Sequence, residues 1–105
     1  MRCHIIAVML TFVPLTVLAQ QPDPATGKRV AEQDCGSCHA VQRGQSKSPV
    51  AHAPTFDAIA ALPSTNELSL RVFLRTSHAG MPNIIVREDE IDPLIAYIVT
   101  LKPAR

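Results

Sequence analysis

Two cysteines separated by two residues and followed at once by a histidine, Cys35-Gly36-Ser37-Cys38-His39, set the strongest constraint on this chain. Such a run reads as a c-type haem attachment site. Two thiols must add to the two vinyl groups on one edge of a porphyrin, and residues three apart on a helical turn suit that edge. The imidazole of His39 is then held beneath the iron as its proximal ligand. A redox-active Cys-x-x-Cys would want a thioredoxin-like βαβ setting, and no strand alternation surrounds the motif. A zinc site would want a second ligand pair at zinc spacing, and the remaining cysteine, Cys3, lies in a segment expected to be removed.

That segment is the N-terminus. Residues 1–4 carry Arg2 and no acid, residues 5–18 are apolar with Pro14 interrupting them, and Val17-Leu18-Ala19 precedes the polar Gln20-Gln21-Pro22-Asp23. The order of charge, apolar run and small-residue exit is that of a secretory signal peptide over residues 1–19. The run is shorter than the ~20 residues a spanning helix needs, so an uncleaved anchor is the lesser reading. The mature chain, residues 20–105, is one small domain. Without Arg2 it keeps nine Lys or Arg against nine acids, so no basic excess points to nucleic acid and electrostatics name no partner. A domain this short buries little surface and usually needs a metal, disulfides or a cofactor; a covalent haem would supply a large apolar body.

Asp23-Pro24 opens the first helix as N-cap and first helical residue. Gly27, Val30, Ala31, Asp34 and Cys35 then recur at helical spacing as a small or apolar face. Residues 40–53 read as loop, with Gly44, Ser46, Ser48 and Pro49; Arg43, Lys47 and His52 read as solvated there, the two cations having docking beside the haem as their alternative role. Residues 54–62 predict a short helix with Phe56, Ile59 and Ala60 inward. Ser64-Thr65-Asn66-Glu67 has the pattern of a capping box. The helix it would start is expected to turn Leu68, Val72 and Phe73 to the core, with Leu74 a further candidate, and Arg71 and Arg75 outward. The last helix has two candidate starts, near Arg87 or at Asp92-Pro93, and an apolar face of Ile91, Leu94, Ile95, Tyr97, Ile98 and Leu101.

Between them lies Thr76-Ser77-His78-Ala79-Gly80-Met81-Pro82-Asn83. Met1 and Met9 fall in the leader, so Met81 is the methionine of the mature chain. A thioether is a soft ligand suited to haem iron opposite a histidine. The usual job of methionine is to fill core gaps, but this one sits on a Gly-Met-Pro loop rather than on an apolar helical stripe. His78 is a rival ligand that spacing alone leaves open.

The whole mature chain resembles class I cytochrome c, the small periplasmic bacterial members above all. The attachment site after an N-terminal helix, Pro54-Thr55-Phe56, Gly80-Met81-Pro82 and Leu94-Ile95-Ala96-Tyr97-Ile98 follow the family's order. The resemblance implies an all-α cytochrome c fold of about four short helices around one covalent haem c held by Cys35 and Cys38. It implies His39 and Met81 as the axial ligands, and the carbonyl of Pro54 as acceptor of the His39 Nδ1 proton, with Pro49 as a substitute. It places Gly27 against Tyr97 where the terminal helices cross. It departs at Ala31, where the family tends to carry an aromatic.

The function expected is one-electron transfer in the periplasm between a donor and an acceptor redox protein. The carrier would be a monomer in transient complexes, with no membrane span after cleavage and no catalytic residue of its own. Two alternatives stand beside it: a haem enzyme or gas sensor with an open sixth position, and a dedicated cytochrome subunit of a dehydrogenase or oxidase. A non-haem metal-binding or structural module is a third, more distant class.

Overall fold

A computed structural model of the chain describes residues 20–82 and 84–104. The leader read over residues 1–19, Cys3 with it, and Asn83 of the methionine loop lie outside the described residues. The described chain is all-α, as expected: α1 (Pro24–Val30), which continues without a break as a π-helical turn (Ala31–Cys35), α2 (Phe56–Ala61), α3 (Glu67–Leu74) and α4 (Glu88–Thr100), with no strand among the described residues.

α1 starts where Asp23 accepts from the backbone N–H groups of Ala25 and Thr26, at 3.1 and 3.0 Å, with Pro24 at the first helical position. These are the donors a helix start leaves without intrahelical partners. The helix packs chiefly on α4. A Cβ on Gly27 would come within 1.8 Å of the Pro93 carbonyl oxygen and 2.9 Å of the Leu94 nitrogen. The helices therefore meet backbone to backbone at this point, and the nearest atoms to the missing side chain belong to Pro93 and Leu94 rather than to the Tyr97 ring. Ala31, fully buried, joins the same core.

α4 takes the earlier of its two candidate starts, with Arg87 as N-cap and Glu88, Asp89 and Glu90 in the first turn. Pro93 lies inside the helix and has no N–H to give the carbonyl four residues back. Ile91, Leu94, Ile95, Tyr97, Ile98 and, at the cap, Leu101 are buried. Tyr97 donates its hydroxyl proton to the Val41 carbonyl at 2.7 Å, tying the 40–53 loop to the helix. Arg43, read as solvated, is exposed and also donates to the carbonyl of Thr100 and, at 3.5 Å, to that of Leu101. A cation among the last carbonyls of a helix is favourably placed.

α2 is capped by Thr55, whose hydroxyl accepts from Ala58 N at 3.1 Å, and it buries Phe56 and Ala60. α3 corrects two expectations. Its N-cap is Asn66, not Ser64: Asn66 Oδ1 accepts from Ser69 N and Ser69 Oγ accepts from Asn66 N, both at 2.9 Å, so the capping box sits two residues later. The buried residue of α3 is Leu70, with Leu74 half-buried, whereas Leu68, Val72 and Phe73 are 70, 56 and 46% exposed. Five apolar residues in eight positions define no single stripe, so periodicity could not choose the face. In the fold, Arg71 and Arg75 reach across to Asp92 and Glu88 of α4, and Leu70 and Leu74 are the apolar residues then turned inward.

Candidate functional site

The turn that ends the first helix arranges the attachment motif. Cys38 N and His39 N both donate to the Cys35 carbonyl, at 3.1 and 2.9 Å. The coil therefore continues tightly enough to bring Cys35, Cys38 and His39 to the wall of one cavity. A Cβ on Gly36 would fall 2.6 Å from the Glu32 carbonyl oxygen, so the turn after the π-helical segment has no room for a side chain there. A π-turn inside a helix is rare and tends to occur at functional sites.

Burial pushes the Cys35 thiol up to about 11, with the negative charges of Asp34 and Cys38 adding to the effect. A disulfide-exchange cysteine needs the opposite, a depressed pKa that favours thiolate. No disulfide joins Cys35 to Cys38.

The His39 ring is fixed from behind. Its Nδ1 stands 2.7 Å from the Pro54 carbonyl oxygen, and its ring lies tilted against Phe56 with centroids 5.7 Å apart. With Nδ1–H donating to that carbonyl, Nε2 is left as the bare donor atom of the imidazole, and the carbonyl raises its basicity. Pro49 lines a second cleft together with His39, Lys47 and Ser48, but the carbonyl that meets His39 Nδ1 is that of Pro54.

The loop before α4 supplies the other candidate ligands. Met81 is half-buried and lines the same cavity as His39. Gly80 before it has φ +81°, a left-handed conformation that glycine adopts without steric cost. His78 lines the cavity as well. Its ring, however, lies tilted by 30° against Phe73 with centroids 3.4 Å apart, and its Nε2 stands 3.4 Å from Thr76 Oγ1.

The cavity measures about 540 Å³ and is walled by Phe56, Ile59, Leu70, Leu74, Leu94 and Ile98 among others. Among the described residues, no Asp, Glu, Lys or Arg lines it. Apolar walls, two thiols at one edge, an oriented imidazole nitrogen and a thioether are the fittings a c-type haem requires. Sequence reasoning did not single out Thr65 or Phe73 as parts of this site. Thr65 is buried, donates its hydroxyl proton to the Ile59 carbonyl at 2.6 Å and lines the cavity. The half-exposed Phe73 lines it too, and its only sequence signal, apolarity, pointed to the core. His52 remains exposed, as expected of a loop histidine, but borders the same cavity.

Comparison with known proteins agrees with this architecture. The family model described as cytochrome c matches residues 24–102. The chain is 30% identical over 105 residues to cytochrome c-552 of Bradyrhizobium diazoefficiens, covering 98% of this chain and 100% of that protein. No solved structure matches significantly.

Proposed function

Because the chain belongs to the cytochrome c family, a family of covalent haem c proteins that carry electrons between redox partners, we propose that it serves as a periplasmic one-electron carrier with its haem held by Cys35 and Cys38 and ligated by His39 and Met81. The observation that carries the reading is the convergence of these four side chains on one apolar cavity. When bound, the haem supplies a reversible ferrous–ferric couple. The protein's part is to hold and tune it. Cys35 and Cys38 anchor one edge. Pro54 keeps the His39 ring in one orientation through Nδ1. Met81 offers a thioether, a poor donor to ferric iron, which together with the apolar walls favours the reduced state and raises the potential. Met81 is preferred over His78 because the His78 ring already has partners in Phe73 and Thr76. If His39 and Met81 both held the iron, no coordination position would remain for a substrate.

Export rests on the pattern of residues 1–19. Among the described residues no helix is long and apolar enough to cross a membrane. Intact mass of the exported protein should begin at Gln20; a mass that retains residues 1–19 would make the protein membrane-anchored and change its partners. For the site, the protein should be produced with a haem-attachment system and its oxidised and reduced optical spectra recorded. Covalent haem on a denaturing gel, methionine-ligated spectra and slow CO binding by the reduced protein are expected. Rapid CO binding would favour the enzyme or gas-sensor alternative instead.

A further inference from the structure

We propose that the outer face of α3 is a self-association surface, on which two copies of this chain pair through antiparallel α3 helices about a two-fold axis. This face is apart from the haem cavity, which neither Leu68 nor Val72 lines, so its role does not depend on how the iron is ligated.

Leu68 and Val72 are both more than half exposed and lie one turn apart on α3. At ~100° per residue they share one stripe, opposite the inward Leu70 and Leu74. Singly exposed apolar residues are ordinary, but two stacked on one helix face form a patch that gains when water is excluded from it. The charges along its flank point to what covers it. Glu67, Arg71 and Arg75 recur every four residues beside the stripe, with the acid at the N-terminal end and both cations behind it. Arg71 and Arg75 pair with Asp92 and Glu88 of α4, yet both stay part-exposed, and a guanidinium has donors to spare. Glu67 forms no ion pair among the described residues. A two-fold axis perpendicular to the helices reverses the chain direction and returns the same flank to the same side. With Leu68 set against Val72 of the second copy, Glu67 comes level with a point midway between Arg71 and Arg75 of that copy, about 3 Å along the axis from each. The symmetry makes every such contact twice. A parallel pair would put the charged flanks on opposite sides and leave Glu67 without a cation. The occupant that fits both stripe and flank is therefore a reversed copy of α3 itself. Two apolar side chains supply far less than the ~800 Å² per partner of a stable interface, so pairing is weak and the protein is a monomer when dilute.

The test is sedimentation equilibrium of the intact haem-loaded protein between roughly 10 µM and 1 mM, where the mean mass should rise from that of a monomer toward that of a dimer. Leu68→Lys and Val72→Lys should each weaken the association about tenfold, and Glu67→Lys about threefold, with the optical spectrum unchanged. Two separate apolar substitutions guard against one of them disturbing the fold. The register is read by mixing Leu68→Cys protein with Val72→Cys protein under mild oxidation. The disulfide between the two different variants should form about tenfold faster than either symmetrical one. A monomeric mass up to about 1 mM would overturn self-association and leave the face to another protein. Equal association of the wild type and both spectrally intact lysine variants would place the contact elsewhere and overturn the inference. Symmetrical disulfides forming as fast as the mixed one would overturn the antiparallel pairing.

Discussion

Gly27 shows how one missing Cβ can hold two helices together. An alanine inside a helix is ordinarily better than glycine by about 1 kcal/mol. Here the added methyl would sit 1.8 Å from a backbone oxygen that cannot rotate away. Gly27→Ala should therefore destabilise the protein, by about 1–3 kcal/mol in line with overpacked cores; denaturant melts read this directly, and a stabilised variant would show that α1 and α4 do not meet so closely. The sixth ligand is decided at the same scale. Met81→Ala should lower the reduction potential and open the reduced iron to CO, while His78→Ala should leave the spectrum largely unaltered. An exchange of those two outcomes would assign the iron to His78. Neither substitution changing ligation would remove the main mechanistic support for a carrier.

Elements are joined by a few long polar contacts, and the sequence hid most of them. Tyr97 lies on the apolar stripe of α4 and reads as core, yet its hydroxyl also fastens the 40–53 loop through Val41. Tyr97→Phe keeps the ring and loses the bond, so it should cost about 1 kcal/mol at neutral pH. Its effect should change in alkali. Burial, followed by the negative charges of Glu32 and Asp57, raises the Tyr97 pKa above its ordinary value of 10.0. Above about pH 10 the unfolded chain releases this proton while the folded protein keeps it, so wild-type stability falls as pH rises through that window. The phenylalanine variant lacks this contribution. Its penalty should shrink between pH 9 and roughly pH 11, as followed by denaturant melts of the two proteins; a constant penalty would mean that Tyr97 titrates alike in both states. Arg43 is a second such contact. Nothing in residues 40–53 ties that side chain to the end of α4, because the carbonyls it reaches belong to residues more than fifty positions away.

At the scale of the molecule, one apolar cavity is lined by Cys35 and Cys38, by the methionine loop and by parts of α2, α3 and α4. Emptying such a space removes the centre of a small core. Replacing both Cys35 and Cys38 with Ala should give protein whose haem is absent or extractable with acid-acetone, and the haem-free chain should lose its cooperative melt. Haem persisting on the denatured double variant would refute thiol attachment, and a native-like melt without haem would show that the helices suffice. The sequence by itself determined what depends on neighbours along the chain: the all-α class, the Asp23 start of α1, the spacing of Cys35, Cys38 and His39 on one turn, and the glycine-methionine-proline loop. Those follow from local backbone geometry and from the chemistry of short motifs. Tertiary structure decided which face of α3 is buried, because Leu68, Leu70, Val72, Phe73 and Leu74 allow several stripes and only packing against α4 selects Leu70. It also decided that Asn66 rather than Ser64 caps that helix, where two polar residues competed within one turn. The make-up of the cavity wall was likewise beyond reach of the sequence, since His52, Pro54, Leu62, Phe73 and Pro82 come to line one cavity only when the chain has closed upon it.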